Sequence, residues 1–186
     1  MTLQEMKQKV YALIEEYSED ADDLTEDEDL ATKINGVISQ IQSDLANFRK
    51  IQKDVTLNVS SGQEMYLKDI DKQAKQLKII KGVDYDVIGD KITFNEEGTA
   101  NVYYYTQPKI ITPDTPDNYK LELDDDLLEI MPYGVAADIL KSDVSSQYGA
   151  IYEARYRELK NMIDPRRSES AFEMTGGFKV WVQVED

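Results

Sequence analysis

The side chains that could do chemistry in this chain are nearly all carboxylates. The 186 residues carry 37 Asp and Glu against 21 Lys and Arg, a net charge of −16, with no histidine and no cysteine. Without histidine the commonest general base and transition-metal ligand is gone. Without cysteine, disulfide frameworks, zinc–thiolate sites and thiol nucleophiles go together, and a reducing compartment fits. An enzyme would have to work with Asp, Glu, Lys, Tyr or Ser alone, and the carboxylates suggest two chemistries to weigh: a calcium-type loop, or a carboxylate pair working as general acid and base. Residues 18–29 hold eight acids (Glu19, Asp20, Asp22, Asp23, Glu26, Asp27, Glu28 and Asp29), but no glycine falls at the sixth position of a D-x-D-x-D frame. Asp84-Tyr85-Asp86-Val87-Ile88-Gly89-Asp90 comes closer, yet Ile88 occupies a ligand position and Asn95 stands where a bidentate Glu should close the loop. These stretches read as a solvated loop and a plain hairpin, so neither metal nor cofactor is expected. No carboxylate pair is offered by spacing, and a carboxylate-based hydrolase ranks low. There is no G-x-x-x-x-G-K-[ST], G-x-G-x-x-G or G-x-S-x-G, and Gly176-Gly177 precedes a strand rather than a phosphate-binding helix.

The charge constrains partners. A chain at −16 repels phosphates and anionic membrane surfaces. Solubility is the plain reading; a surface that stays near DNA without adhering is the sharper one. No run of about 18 apolar residues predicts a membrane span, and the N-terminus lacks a basic start followed by an apolar stretch.

The elements that must position these residues follow from periodicity. Leu3, Met6, Val10, Leu13, Ile14 and Tyr17 predict an amphipathic helix over 1–17, opened by a Thr2/Glu5 capping box. A second box at Thr25–Glu28 opens a helix to Lys50, with Leu30, Ile34, Val37, Ile38, Ile41, Leu45 and Phe48 as its stripe and Gly36 as a candidate close approach. From Val55 to 111 the pattern predicts about five antiparallel strands: Val55–Val59, Met65–Leu67 pairing back on it, Leu77–Ile80, a hairpin about Gly89-Asp90, and the β-prone Ala100–Thr106 with Tyr103, Tyr104 and Tyr105. Asp69–Gln76 is a loop or one helical turn. After a proline-punctuated loop, a helix from Asp124–Asp126 holds Leu127, Leu128, Met131, Val135, Ile139 and Leu140, with Pro132 opening or kinking it. The last helix, 145–163, places Tyr148, Ile151, Tyr152, Tyr156 and Leu159 on one face, and Asp164-Pro165 ends it. The expected fold is α+β: an N-terminal helical pair (1–54), an antiparallel β unit (55–120), a C-terminal helical pair completing a bundle of about four helices (121–165), and an extended arm (166–186).

Three features suggest contact surfaces. Arg155, Arg157, Lys160, Arg166 and Arg167 gather at the end of the last helix. They complement its C-terminal dipole, or they form a patch meeting the acidic stretch about Asp22, Asp23, Glu26 and Asp27 on another copy. The twelve tyrosines suit core packing first and interfaces second. Phe178, Val180, Val182 and Val184 share one face of a tail strand and Trp181 the other. That strand either folds back on its own sheet or augments a partner's edge.

Taken in order, the acidic-linked helical pair, the strands VDYDVIGDKITF and ANVYYYTQPKII, and LELDDDLLEIMPYGVAADILKSD…YGAIYEARYRELKNMI resemble the head–tail connector (adaptor) proteins of tailed bacteriophages over most of residues 1–163. The β unit is larger than in the simplest all-helical adaptors. The resemblance implies a non-enzymatic virion protein, made in the host cytoplasm and residing in the neck. It implies a homo-oligomeric ring, commonly of twelve copies, under the portal protein, extending the DNA channel and meeting a downstream neck or stopper protein. DNA would pass without specific binding. In that setting the tail residues Phe178, Val180, Trp181, Val182 and Val184 would dock on the portal. The acidic stretch and the basic cluster would supply heterologous subunit contacts. A stopper or tail-completion protein is the neighbouring alternative.

Overall fold

In the computed structural model, which describes residues 1–15, 28–141 and 148–164, the chain is mixed α+β. The described elements are helices α1 (Leu3–Glu15) and α2 (Glu28–Phe48), strands β1 (Ile51–Val59) and β2 (Glu64–Tyr66), the one-turn helix α3 (Leu67–Ile70), strands β3 (Ala74–Lys81), β4 (Tyr85–Ile88), β5 (Lys91–Phe94) and β6 (Gly98–Thr106), and helices α4 (Asp125–Leu140) and α5 (Tyr148–Met162). They gather about two separate hydrophobic cores.

The helical core is centred on α4. This helix is apolar nearly all round, the pattern of an element enclosed by others. Leu127, Leu128, Ile130, Met131, Val135, Ala136 and Ala137 are all buried. It packs against α1, α2 and α5. The stripes do what their spacing says: Leu3, Met6, Val10 and Ile14 of α1 and Leu30, Ile34, Ile38, Ile41 and Leu45 of α2 are buried. The capping box at the start of α1 forms: the Thr2 amide donates to Glu5 Oε2 at 2.8 Å and the Glu5 amide to Thr2 Oγ1 at 3.2 Å. The second box lies outside the described residues. The start of the chain then pairs with the segment leading into α4, the Leu3 amide donating to Tyr119 O and the Leu121 amide to Met1 O.

Pro132 does not open α4 but sits in its interior, the placement of the other reading, a kink. Two helical expectations need correcting. Gly36 marks no close approach, since a Cβ there would meet nothing within 4 Å. Close approaches are found instead at Gly134, where a Cβ would lie 3.0 Å from the Tyr156 ring and 3.3 Å from Ile41, and at Gly149, where it would lie 3.2 Å from the Leu140 and Lys141 backbone. Ile151 leaves the Tyr148–Tyr152–Tyr156 face and stands 54% exposed, because its step from Tyr152 turns it about 100° away.

The β unit has six strands in two three-stranded antiparallel sheets, ordered β1-β6-β3 and β2-β5-β4. β6, the tyrosine strand, is central and pairs on both sides. β1 starts at Ile51, ahead of the expected Val55, because Ile51–Asp54 continue the ladder against Tyr103–Thr106. β2 does not return to β1; it pairs with β5 in the second sheet. The hairpin at Gly89-Asp90 forms as expected, Ile88 facing Lys91 across it and Gly89 supplying the positive φ of 64°. Inward residues of both sheets, among them Val59, Ile80, Ile92, Phe94, Ala100, Val102 and Tyr104, make the second core.

Candidate functional site

Three surfaces or clusters could carry function, and each begins with an element described above. The first lies where the two cores meet. The segment after β6 runs extended over α2 with no strand beside it, so its backbone needs other partners. α2 supplies them from Asn35, Ser39 and Gln42, spaced four and three apart on one helical face. Asn35 Nδ2 donates to Thr112 O at 3.0 Å, the Ile111 amide donates to Ser39 Oγ at 3.0 Å, and Gln42 Nε2 donates to Lys109 O at 3.3 Å. The Glu122 amide donates to Gln42 Oε1 at 3.4 Å. All three side chains are buried, Gln42 completely. Beside them Lys53 Nζ lies 3.7 Å from Asp71 and 3.8 Å from Glu122. Tyr119 donates to Glu122 Oε1 at 3.0 Å, and Tyr104 and Thr106 donate to Asp71 at 3.4 Å. Burial and the Glu122 carboxylate push the Tyr119 phenol far above its ordinary range. Here Lys53 stands between two carboxylates and links three segments of chain. It is a fastening.

Arg49, just past α2, fastens the other side. Its guanidinium reaches Asp126 at 2.8 Å and Asp124 at 3.4 Å, and donates twice to Asp164 O, at 3.1 and 2.9 Å. One side chain thus joins the end of α2 to the start of α4 and the end of α5. The acids it meets also suit the N-terminal dipole of α4.

The second surface is the outer face of the β1-β6-β3 sheet. Cross-strand rows place Gln52, Tyr105 and Gln76 together, then Asp54, Tyr103 and Ile79, then Thr56, Asn101 and Lys81. Lys50 and Lys78 cross over the Tyr105 ring, 5.0 and 5.8 Å from its centroid, and Lys81 lies 5.7 Å from that of Tyr103. The two crossing lysines are held at their tips: Lys50 Nζ donates to Gln76 Oε1 at 2.9 Å and Lys78 Nζ to Gln52 Oε1 at 3.0 Å. This is a cationic, aromatic face on an acidic chain.

The third surface is α5. Its inner face carries Tyr152, whose hydroxyl donates to Leu13 O at 2.7 Å, and Tyr156, whose pKa burial and Asp44 raise to about 12. Its outer face aligns Ile151, Arg155, Glu158 and Met162 at helical spacing, with Met162 74% exposed.

The sequence-derived contact residues fall unevenly on this frame. Arg155 pairs with Glu158 at 2.8 Å and Arg157 with Glu153 on the same helix. The Glu153 carboxyl is held below its usual range, chiefly by Lys141, which reaches it at 3.1 Å, and then by Arg157. Lys160 lies over the Phe48 and Tyr156 rings, at 5.0 and 5.7 Å. Asp22, Asp23, Glu26 and Asp27, together with Arg166, Arg167 and Phe178, Val180, Trp181, Val182 and Val184, lie outside the described residues. At the calcium-like loop, Asn95 Nδ2 donates to Asp84 at 3.3 Å and Asp86 at 3.1 Å. An amide nitrogen thus occupies the space between the two acids, and no group of three acids fit for a metal occurs among the described residues.

Sequence reasoning missed Asn35, Ser39, Gln42 and Arg49, and also the lysines of the sheet face. The first three carried a signal, being polar residues interleaved with an apolar stripe at the stripe's own spacing. The chain matches no family model and no curated protein.

Proposed function

We propose that this chain is a structural adaptor of the phage neck: an assembly protein, without catalysis, that forms a ring beneath the portal, lengthens the DNA channel and receives the next neck protein. In this reading α1, α2, α4 and α5 form one bundle, the β unit is an insertion into it, and residues 166–186 are an arm that reaches the portal. The observation that carries the reading is the outer strip of α5. Ile151 and Met162, 54% and 74% exposed, flank Arg155 and Glu158 on one helical face. A partner seated along this strip would bury both apolar side chains, with the Arg155–Glu158 pair between them. The strip lies in the segment that carries the sequence resemblance. The net charge of −16 supports a channel role as well, since a conduit that attracted phosphates would hold the genome back.

The test is assembly with a portal. Electron microscopy of a portal ring mixed with this chain is expected to show a second ring beneath it. Deleting residues 177–186 should abolish that density while circular dichroism stays unchanged. Density at another place in the particle, or catalytic turnover of a small molecule by the purified chain, would overturn the reading.

A further inference from the structure

Strand β1 is an edge that the described part of the chain leaves open. Its nine residues, Ile51–Val59, pair with β6 in one unbroken register, and no other backbone hydrogen bond reaches them among the described residues. β3, the opposite edge of the same sheet, is interrupted by two register shifts. Such shifts guard an edge against further pairing, whereas a long regular edge invites another strand. Lys53 could guard β1 by its charge, but its amine turns toward Asp71 and Glu122. We propose that β1 is the docking edge for residues 178–184 of the same chain, which lie antiparallel along it and add a fourth strand to the sheet.

Pattern, packing and position select this occupant. In Phe178-Lys179-Val180-Trp181-Val182-Gln183-Val184 the side chains alternate with the period of a strand, and no proline interrupts them. β1 alternates in the same way: Val55, Leu57 and Val59 join the β core, while Asp54, Thr56 and Asn58 are exposed. With Phe178 opposite Val59, Val180 meets Leu57 and Val182 meets Val55 on the inner face, and Trp181 falls opposite Thr56 on the outer one. Val55 and Leu57 are only partly buried at the border of that core, so an added apolar row continues it. Position favours the same molecule. Arg49 donates twice to Asp164 O and precedes Ile51 by two residues, so the tail sets out from the start of β1. The 14 residue steps from Asp164 to Phe178 reach about 46 Å at full stretch, against about 27 Å for β1 end to end. The far end of β1 is therefore within reach, and Gly176-Gly177 stands where the chain must turn back. The pairing belongs to the free chain and goes beyond the adaptor reading, in which the portal draws the same strand away from β1.

The chain has no cysteine, so an introduced pair reports without interference. One full-length variant carries Asn58→Cys and Lys179→Cys, opposite each other in the proposed register. A second carries Asn58→Cys and Gln183→Cys, four residues further along the tail. On mild oxidation of dilute protein, the first should close an intramolecular disulfide several-fold faster than the second. Equal rates, or the reverse order, which a parallel strand would give, overturn the proposal. A disulfide that forms only between molecules overturns it in favour of the tail of a second copy. Amide exchange tests the unaltered chain and stands even if a variant folds poorly. The amides of Val55–Val59 that point away from β6 should exchange several-fold more slowly than in a full-length chain carrying Val180→Asp and Val182→Asp, while those bonded to β6 stay alike in both. Outward amides that exchange at the same rate in the two chains overturn the pairing. Capture by a portal ring, measured separately on the unaltered chain, distinguishes the two readings: capture without the intramolecular disulfide removes this pairing and leaves the adaptor, whereas the disulfide without capture does the reverse.

Discussion

The helical core buries Asn35, Ser39 and Gln42, while in the β core Thr106, at the very end of β6, is the buried polar residue among those described. The difference follows from where each backbone finds its hydrogen bonds. Strands satisfy one another through the ladder, so their inward side chains are free to be apolar and their polar groups sort outward. The extended run 109–112 has no strand neighbour, and helix α2 must reach out with side chains to bond it. Among the described residues, the polar burial on α2 therefore marks a place where chain without a strand neighbour crosses a helix. That crossing is also where the β unit is fastened to the rest.

The largest expected effect breaks this comparison at its centre. Gln42→Leu keeps the volume roughly constant but takes the side-chain partner from the Lys109 carbonyl and the Glu122 amide, two part-buried hydrogen bonds made by a fully buried side chain. The loss should be about 1–3 kcal/mol by urea denaturation. Amide exchange then separates the cores. Protection at Ile111 and Leu121 should fall while that at Val102 and Tyr104 holds. Equal loss in both would mean that the cores unfold as one and the distinction is only geometric.

A pair of glycine substitutions sharpens the helical half. Gly134→Ala forces a methyl against the Tyr156 ring and Ile41, at 3.0 and 3.3 Å, and should cost about 1–3 kcal/mol, offset in part by better helix propensity. Gly36→Ala meets nothing within 4 Å and should gain about 1 kcal/mol. Opposite shifts in melting temperature are the expected result. The same sign at both sites would show that the α2–α4–α5 contact is looser than this packing.

The same contrast explains what could be read from residues alone. Helix stripes are local, so Leu3, Met6, Val10 and Ile14 were legible as a core face, as were the hairpin at Gly89 and the strand holding Tyr103–Tyr105. Sheet order is not local. Nothing within Met65–Tyr66 says that its partner is Ile92 rather than the strand just before it. Gly36 was the visible anomaly in α2, yet Gly134, inside a run of small residues, proved a tight point because helix contacts depend on the partner's side chain. The acid-rich stretch was obvious as composition. The lysine face of the β1-β6-β3 sheet was not, because Lys50, Lys78 and Lys81 come from two separate segments and meet only across the rings of a third.

The smallest effect concerns alkaline pH and again divides the cores. Tyr156 titrates at about 12, raised by burial and then by Asp44, and its hydroxyl is buried without a hydrogen bond. Tyr104, in the β core, is raised by burial and then by Asp71, to which it also donates. A phenol whose folded pKa lies above its unfolded value contributes stability that is complete below pH 10 and lost as pH climbs through the folded value. Both cores should thus weaken from pH 10 upward, by at most about 1.4 kcal/mol per pH unit for each tyrosine and by less where solvent screens the charge. Tyr156→Phe removes that residue's share of the helical contribution, leaving those of Tyr119 and Tyr11, whose phenols burial also raises, and, because no partner is orphaned, should leave stability at pH 7 unchanged or raised by about 0.5 kcal/mol. Tyr104→Phe removes the other contribution but leaves Asp71 one donor short, so its stability at pH 7 should drop by about 1 kcal/mol. Stability measured by urea titration at pH 7, 10 and 11.5 for the two variants decides it. If the two substitutions behave alike at pH 7, the Tyr104 hydroxyl has no more of a partner than that of Tyr156.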